Sequence, residues 1–360
     1  MRSRSSSPVF ALCLFVLAVA LSLPSGAWGA EGGFRCEELS FDVNLSPGDP
    51  TVYSVFGVLC SRGAIEHKTI QITLHGATYG HVYWDFPFQP ETYSYVRRAT
   101  AEGYAVLNVD RIGIGQSDRP AAAAAVDIAA NGYVVHQIVQ ALRGGDLVIP
   151  SFGRVTAERV ALVGHSLGSV ISIQEAATYG DVDGVVLTGV SHTITPALNE
   201  IFAVLYPANL DPRFAGQNVP DGYLTTLPGT RDVFYYPPSR DPLVLAIDEE
   251  TKETVTTAEL DTAVPALFSS PGIHVPVFVI VGDYDRAFCG EPTCSASGSL
   301  AAEASFFAPD ACVETAAIAG AGHDLNLHFQ APIAYDAVLE WMNRRVGSDS
   351  SAPAPAPCQP

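Results

Sequence analysis

The chain has 360 residues, of which 48% are hydrophobic and 16% charged, so it has the means to bury a large core and is neither a disordered chain nor a fibrous repeat. Its 38 acidic residues against 19 basic ones give a formal net charge of −19, which repels polyphosphate and anionic membrane surfaces; with no basic stripe in the sequence, nucleic acid is not an expected partner. The length suits one large α/β domain with insertions, or two smaller domains.

The first segment reads as a secretory signal peptide. Arg2 and Arg4 give a positive start, an apolar run follows over 9–23, and Ala27-Trp28-Gly29 places small residues before a cleavage point at Gly29/Ala30, with Ala27 as a second cleavage position. The run is too short for a comfortable membrane span, so residues 1–29 are expected to be removed. The mature chain is then expected to be secreted, extracellular or in the cell envelope, with no membrane span. Cys13 lies in the leader and six cysteines remain: Cys36, Cys60, Cys289, Cys294, Cys312 and Cys358. An even number in an exported chain points to disulfides, and the absence of a C-x-x-C pair argues against a zinc site. Only Cys36 with Cys60 is assigned, because the two flank an apparent hairpin.

That hairpin is formed by runs at 40–45 and 52–59, separated by the turn signal Pro47-Gly48-Asp49-Pro50. Short apolar runs then recur at 69–74, 105–109, 160–163, 185–188, 277–281 and 313–318, the pattern of strands buried on both faces. Helical patterns lie between or after them at 91–102, 128–142, 167–179 and 334–346. The alternation predicts an α/β fold with a mostly parallel eight-stranded sheet and helices on both faces, built from residues 30–191 and 269–347. Residues 192–268 break the alternation and are rich in Pro and aromatics, including Phe202, Tyr206, Phe234, Tyr235 and Tyr236. They are expected to form a cap over the carboxyl ends of the strands, where open α/β sheets bind ligands. The Ser/Ala/Pro-rich tail, 348–360, is expected to be extended and mobile.

The strongest motif is Gly164-His165-Ser166-Leu167-Gly168, which follows the fifth strand and opens a helix. Chemistry needs this spacing. A nucleophilic serine on a sharp strand-to-helix turn has its hydroxyl pushed out of the sheet, and glycines on both sides remove side chains that would clash there. Two other signals are weak. Gly113-Ile114-Gly115 lacks the third glycine of a dinucleotide loop and follows the wrong strand, so no cofactor is expected. No H-E-x-x-H or clustered His/Cys set occurs, so no catalytic metal is expected.

With His75-Gly76 after the third strand, Asp110-Arg111-Ile112-Gly113-Ile114-Gly115-Gln116-Ser117 after the fourth and the Ser166 turn after the fifth, the chain resembles the α/β-hydrolase superfamily over residues 40–345. The resemblance implies the α/β-hydrolase fold with a cap insertion and a Ser-His-acid triad in that family's chain order, Ser166, Asp285, His323. His323, in Ala319-Gly320-Ala321-Gly322-His323-Asp324, matches the family's late loop; His328 is its local rival. Asp285 stands three residues after Gly282, the family's usual acid position, with Asp283 as the alternative. The loop after the sixth strand, Gly189 to Thr195, has no carboxylate to compete. One oxyanion donor is expected from the Leu167 amide and, by resemblance, a second from Ala77. Thr78, Tyr79, Trp84 and His165 are candidate pocket residues, although the aromatics read equally well as core.

The expected reaction is hydrolysis of a carboxylic ester or lactone of a small hydrophobic substrate through an acyl-enzyme. A serine at the turn argues against relatives that use a carboxylate nucleophile. Peptidase or thioesterase activity with the same triad is the alternative. A non-catalytic binding protein retaining the fold is the reading from another class. The sequence does not give the oligomeric state.

Overall fold

A computed structural model describes residues 33–289, 294–295 and 297–353; the expected signal peptide, Cys358 and the end of the tail lie outside them. Eight strands form one sheet: β1 (Phe34–Val43), β2 (Tyr53–Arg62), β3 (Ile70–Leu74), β4 (Ala105–Val109), β5 (Val160–His165), β6 (Gly184–Thr188), β7 (Val277–Gly282) and β8 (Glu314–Ile318). They lie in the order β1-β2-β4-β3-β5-β6-β7-β8. β1 and β2 are antiparallel to their neighbours, and every pairing from β4 to β8 is parallel. This is the α/β-hydrolase fold.

The two kinds of strand follow from what covers them. Every residue of β3 to β7 is buried, which is why these strands are continuous apolar runs. The polar exceptions are matched inside: Thr73 donates to Asn108 Oδ1 at 2.8 Å, and the Tyr95 hydroxyl donates to Gln71 Oε1 at 2.7 Å. The β1/β2 hairpin extends further from its turn than its apolar residues suggest. Its outer part is an edge with solvent-facing charges, among them Arg35 and Glu38, and Cys36 stands opposite Cys60 in register and is bonded to it. Cys289 is bonded to Cys294, and Cys312 also forms a disulfide.

Helices cover both faces. On one side α1 (Tyr95–Ala101) packs with the long C-terminal helix, burying Val96, Trp341 and Met342 against Val106 and Val163. The predicted helix over 91–102 is in fact broken at Ser94, which is extended and whose Oγ caps α1 by accepting the Arg97 amide at 3.0 Å. On the other side α2 (Ile128–Gly144) and α3 (Leu167–Tyr179) bury Ile138, Leu142, Ile171 and Ile173 against Ile72 and Leu162.

Between β6 and β7 the chain forms α4 (Leu198–Ala203), a small antiparallel sheet of Leu205–Pro207, Tyr223–Thr226 and Val255–Thr256, then α5 (Pro242–Thr251) and α6 (Thr257–Leu267). Asp241 caps α5, accepting the Leu243 amide at 2.8 Å. Thr256 and Glu259 form a capping box on α6. The C-terminal helix, α7 (Ala331–Arg345), closes the fold.

Through Pro353 the tail is tied to the body: the Arg159 guanidinium donates to the carbonyls of Val346, Asp349 and Ala352, and the Thr69 amide donates to Ser348. No helix of the described residues is long and apolar enough to cross a membrane.

Candidate active site

Ser166 sits between β5 and α3 with φ 51° and ψ −117°, a conformation that side-chain-bearing residues rarely adopt. Two close approaches hold it there. A Cβ on Gly164 would lie 2.5 Å from the Ser169 backbone, and one on Gly168 would overlap the Leu74 carbonyl. The Ser166 amide donates to the Thr188 carbonyl at 2.8 Å, which fixes the turn to β6. The hydroxyl is thereby raised above the ends of the strands.

Two loops bring the other groups to it. His323, after β8, has Nε2 2.9 Å from Ser166 Oγ and Nδ1 2.9 Å from Asp285 Oδ2, on the loop after β7. With Nδ1–H donating to Asp285, Nε2 is left to accept the serine proton. Asp285 Oδ1 accepts the amides of Ala287 and Phe288 at 3.1 and 3.2 Å, so its other oxygen stays aimed at the imidazole. Burial disfavours the charged imidazole, but the Asp285 charge and hydrogen bond, with the Asp324 charge, outweigh it and hold His323 above its ordinary value.

The rival residues serve other ends. Asp283 accepts the Gly320 amide at 2.7 Å and so braces the loop that carries His323. His328 donates from Nδ1 to the Asp324 carbonyl at 2.7 Å and accepts the Tyr236 and Gly322 amides on Nε2. His75 donates to Gly76 and accepts the Arg111 amide.

Ala77 and Leu167 both border the cavity above Ser166, and no acceptor among the described residues takes either amide. The cavity is also lined by Thr78, Tyr79, Ile201, Phe202, Phe234, Leu260, Val264 and Phe288. Its wall is almost wholly apolar. Trp84 and His165, both candidate pocket residues, do not border it, and Trp84 takes the other reading left open for it, as core. Trp84 points into the core against Tyr83 and Tyr95, and His165, the residue before the serine, points down into the protein, stacked 4.3 Å from Tyr83.

Beneath the cavity lies a buried polar network that sequence reasoning missed. His165 Nε2 is 3.0 Å from Asp324 Oδ1, and the Tyr79 hydroxyl donates to Asp324 Oδ2. Asp248 of α5 accepts from Tyr235 at 2.8 Å and pairs with Arg231 at 2.7 Å. The Arg231 guanidinium lies over the Tyr79 ring and donates to the Thr78 carbonyl and hydroxyl at 3.4 and 3.2 Å. Thr78 itself has φ 61°, so the chain just after Ala77 is held in an unfavourable conformation by a residue from the segment between β6 and β7. The Thr256–Glu259 capping box of α6 also ties this segment to the core, for Glu259 pairs with the buried Arg111.

His165, His323 and Asp324 bring ligand atoms within 4.8 Å of one another, a spacing a metal ion can use. All four ring nitrogens are already engaged, however, by Thr188 and Asp324 or by Ser166 and Asp285. The set therefore fits proton transfer better than metal binding. A hydroxyl, an imidazole and a carboxylate in series, with two uncommitted amides alongside, can generate a nucleophile and stabilise the oxyanion that its attack creates.

The comparisons agree with this architecture. Solved structures with the same fold include a thermophilic esterase from Thermogutta terrifontis, 16% identical over 85% of this chain and 98% of that one, with a TM-score of 0.54. The α/β hydrolase GrgF from Penicillium is 12% identical over 86% and 99%, with a TM-score of 0.55. The peroxisomal α/β-hydrolase Lpx1 from Saccharomyces cerevisiae is 13% identical over 92% and 93%, with a TM-score of 0.52. A search of curated protein sequences returns no match. The model of the alpha/beta hydrolase family matches residues 72–337, and the chain belongs to that family.

Proposed function

We propose that the protein is a secreted serine hydrolase that cleaves a carboxylic ester or lactone of a small hydrophobic substrate. The observation that carries this reading is the array Ser166–His323–Asp285, with 2.9 Å at both contacts, on the floor of an apolar cavity. Residues 30–191 and 269–347 are the hydrolase core in this reading and 192–268 the cap, since Ile201, Phe202, Phe234 and Leu260 roof the cavity. The disulfides fit export to an oxidising compartment after removal of residues 1–29.

The steps follow from the geometry. Ser166 Oγ attacks the ester carbonyl carbon while His323 Nε2 takes its proton. The carbonyl electrons move onto oxygen, held by the Ala77 and Leu167 amides. Collapse breaks the bond to the alkoxy oxygen, which receives the proton from His323 and leaves as alcohol. Water then adds to the acyl-enzyme, again losing its proton to His323, and Ser166 is restored as the acid departs. Asp285 holds the reactive tautomer throughout. Thr78 and Tyr79 border the bound substrate; His165 and Trp84 do not.

A fluorophosphonate probe tests the reading first: covalent labelling of Ser166 in the folded protein is expected, and none in denatured protein. p-Nitrophenyl esters of rising acyl length then define the substrate, with thioester, lactone and peptide controls. Rates should rise with chain length until the cavity is filled. Folded protein that stays unlabelled, and turns over no ester, would leave a binding protein as the better account.

A further inference from the structure

A cluster of three polar side chains lies outside this site, at the seam between α2 and α3. It comprises His136 on α2, Glu175 on α3 and Asp181 in the turn from α3 to β6. Glu175 stands nine residues beyond Ser166, about 13 Å along the axis of the same helix.

Three carboxylate oxygens there receive no donor from outside the acid pair. Glu175 is completely buried, and the only hydrogen-bond partner of its carboxyl is a second acid, Asp181. No donor from another residue reaches Glu175 Oε1, Glu175 Oε2 or Asp181 Oδ1. The donors that reach Asp181 both go to its other oxygen: His136 Nδ1 at 2.8 Å and Gln140 Nε2 at 2.6 Å. The nearby guanidinium of Arg143 is committed to the Asp181 and Glu158 carbonyls and the Asp183 carboxylate. One ligand atom from each of Glu175, Asp181 and His136 lies within 4.8 Å of the others. Two carboxylates facing one another under cover of protein need either a shared proton or a metal ion between them.

We propose that Glu175, Asp181 and His136 bind one divalent cation of the zinc class. The donor set gives the class. An imidazole beside two carboxylates suits zinc, or a similar borderline ion, whereas calcium and magnesium favour oxygen alone. The side chains of His136 and Asp181 are 24% and 17% exposed, which gives an ion a way in and leaves room for water to complete its shell. Tyr179 stacks on His136 with ring centroids 4.1 Å apart, so the imidazole is already held at the site. Gly132 keeps this stretch of α2 close to α3, because a Cβ there would meet Gln174 at 2.9 Å. A bound ion would link α2, α3 and the entry to β6, and so steady the helix whose first turn carries Ser166. The competing occupant is a proton: burial, with Asp181 beside it, pushes the Glu175 carboxyl up to about 10, so the metal must displace that proton.

The test uses the full mature protein after treatment with EDTA. Zinc chloride is titrated by calorimetry and Tm is followed with and without it, with calcium chloride in parallel. One zinc per chain and a zinc-dependent rise in Tm are expected, with much weaker calcium binding. In Glu175→Gln and His136→Ala the zinc affinity should fall by more than the ~10- to 100-fold typical of losing an outer partner. Glu175→Gln keeps the side chain's shape and offers Asp181 an amide donor in place of the shared proton, so it should fold about as well as the metal-free parent. Both variants should retain phosphonate labelling of Ser166. Absence of zinc binding, zinc binding that survives both substitutions, or calcium binding as tight as zinc would each overturn the proposal; the first would leave a shared proton as what holds the two carboxylates.

Discussion

Two histidine–aspartate pairs lie side by side in this protein. His323 is 2.9 Å from Asp285, His165 is 3.0 Å from Asp324, and the two rings are 5.1 Å apart. Their chemistry diverges. His323 is held above the ordinary imidazole value despite its burial, by the charge of Asp285 and the hydrogen bond to it. Burial and the neighbouring His323 push His165 well below that value, and burial also pushes Asp324 upward. Both shifts in the lower pair disfavour ions. A carboxylate beside a histidine is therefore not enough to make a base. The upper pair also has two amides aiming Asp285 and a free edge of the ring facing a serine. The lower pair has Tyr79 and Thr188 on its remaining positions and no opening.

The contrast can be broken by exchanging the pairs' fates. Replacing His323 with Ala should lower kcat by about 10⁴-fold or more, whereas His165→Gln should cost less than about 10-fold and show itself mainly as about 1–3 kcal/mol of lost stability. Ester turnover and urea unfolding on the same samples separate the two. Asp285→Asn should lower kcat by about 10⁴-fold through the wrong tautomer, with Asp324→Asn again far milder. Equal losses in the two variants would show that the lower pair takes part in proton transfer.

Acidity gives a finer test. In the proposed reaction the neutral imidazole of His323 is the base, and its raised pKa keeps it protonated to higher pH than usual. The acid limb of kcat/KM should therefore have its midpoint above 6.5, with activity lost as pH falls through it. Asp324 also raises His323, so Asp324→Asn should move that midpoint down, by less than Asp285→Asn does.

Arg231→Gln probes what the lower network does for the upper site. If the guanidinium positions Thr78 and hence Ala77, kcat per labelled serine should fall by about 100-fold with KM little changed. A loss only of folded protein, with each labelled serine fully active, would reduce Arg231 to a structural pin. The smallest effect on turnover is expected far from either pair. Cys36→Ser should cost about 3 kcal/mol of stability from the 24-residue loop it closes and leave kcat unchanged.

Local signals made part of this legible in the sequence. The apolar runs of β3 to β7 are continuous because both faces are covered, and the Ser166 turn shows itself through its two glycines. Asp283 and Asp285 were not separable by spacing alone. Asp283 keeps its amide in the strand ladder, on the Ile318 carbonyl, while Asp285 turns back onto Gly282, and only that turn aims a carboxylate at His323. The lower network left no trace, because Tyr79 meets Asp248 and Asp324 across 169 and 245 residues and no periodicity spans such gaps. Trp84 misled for the converse reason. It is near Ala77 in sequence, but its turn directs it toward Tyr95.

The anchoring of the tail by Arg159 has a practical side. Arg159 immediately precedes β5 and Thr69 immediately precedes β3, so both hold the chain at the amino ends of the strands, while Ser166 stands at the carboxyl end of β5. The polypeptide thus leaves the described residues at Pro353 on the far side of the sheet from the cavity mouth. A bead, electrode or display scaffold coupled beyond that point would present every molecule with its entrance facing the liquid, and the coupling would not have to be engineered around the substrate.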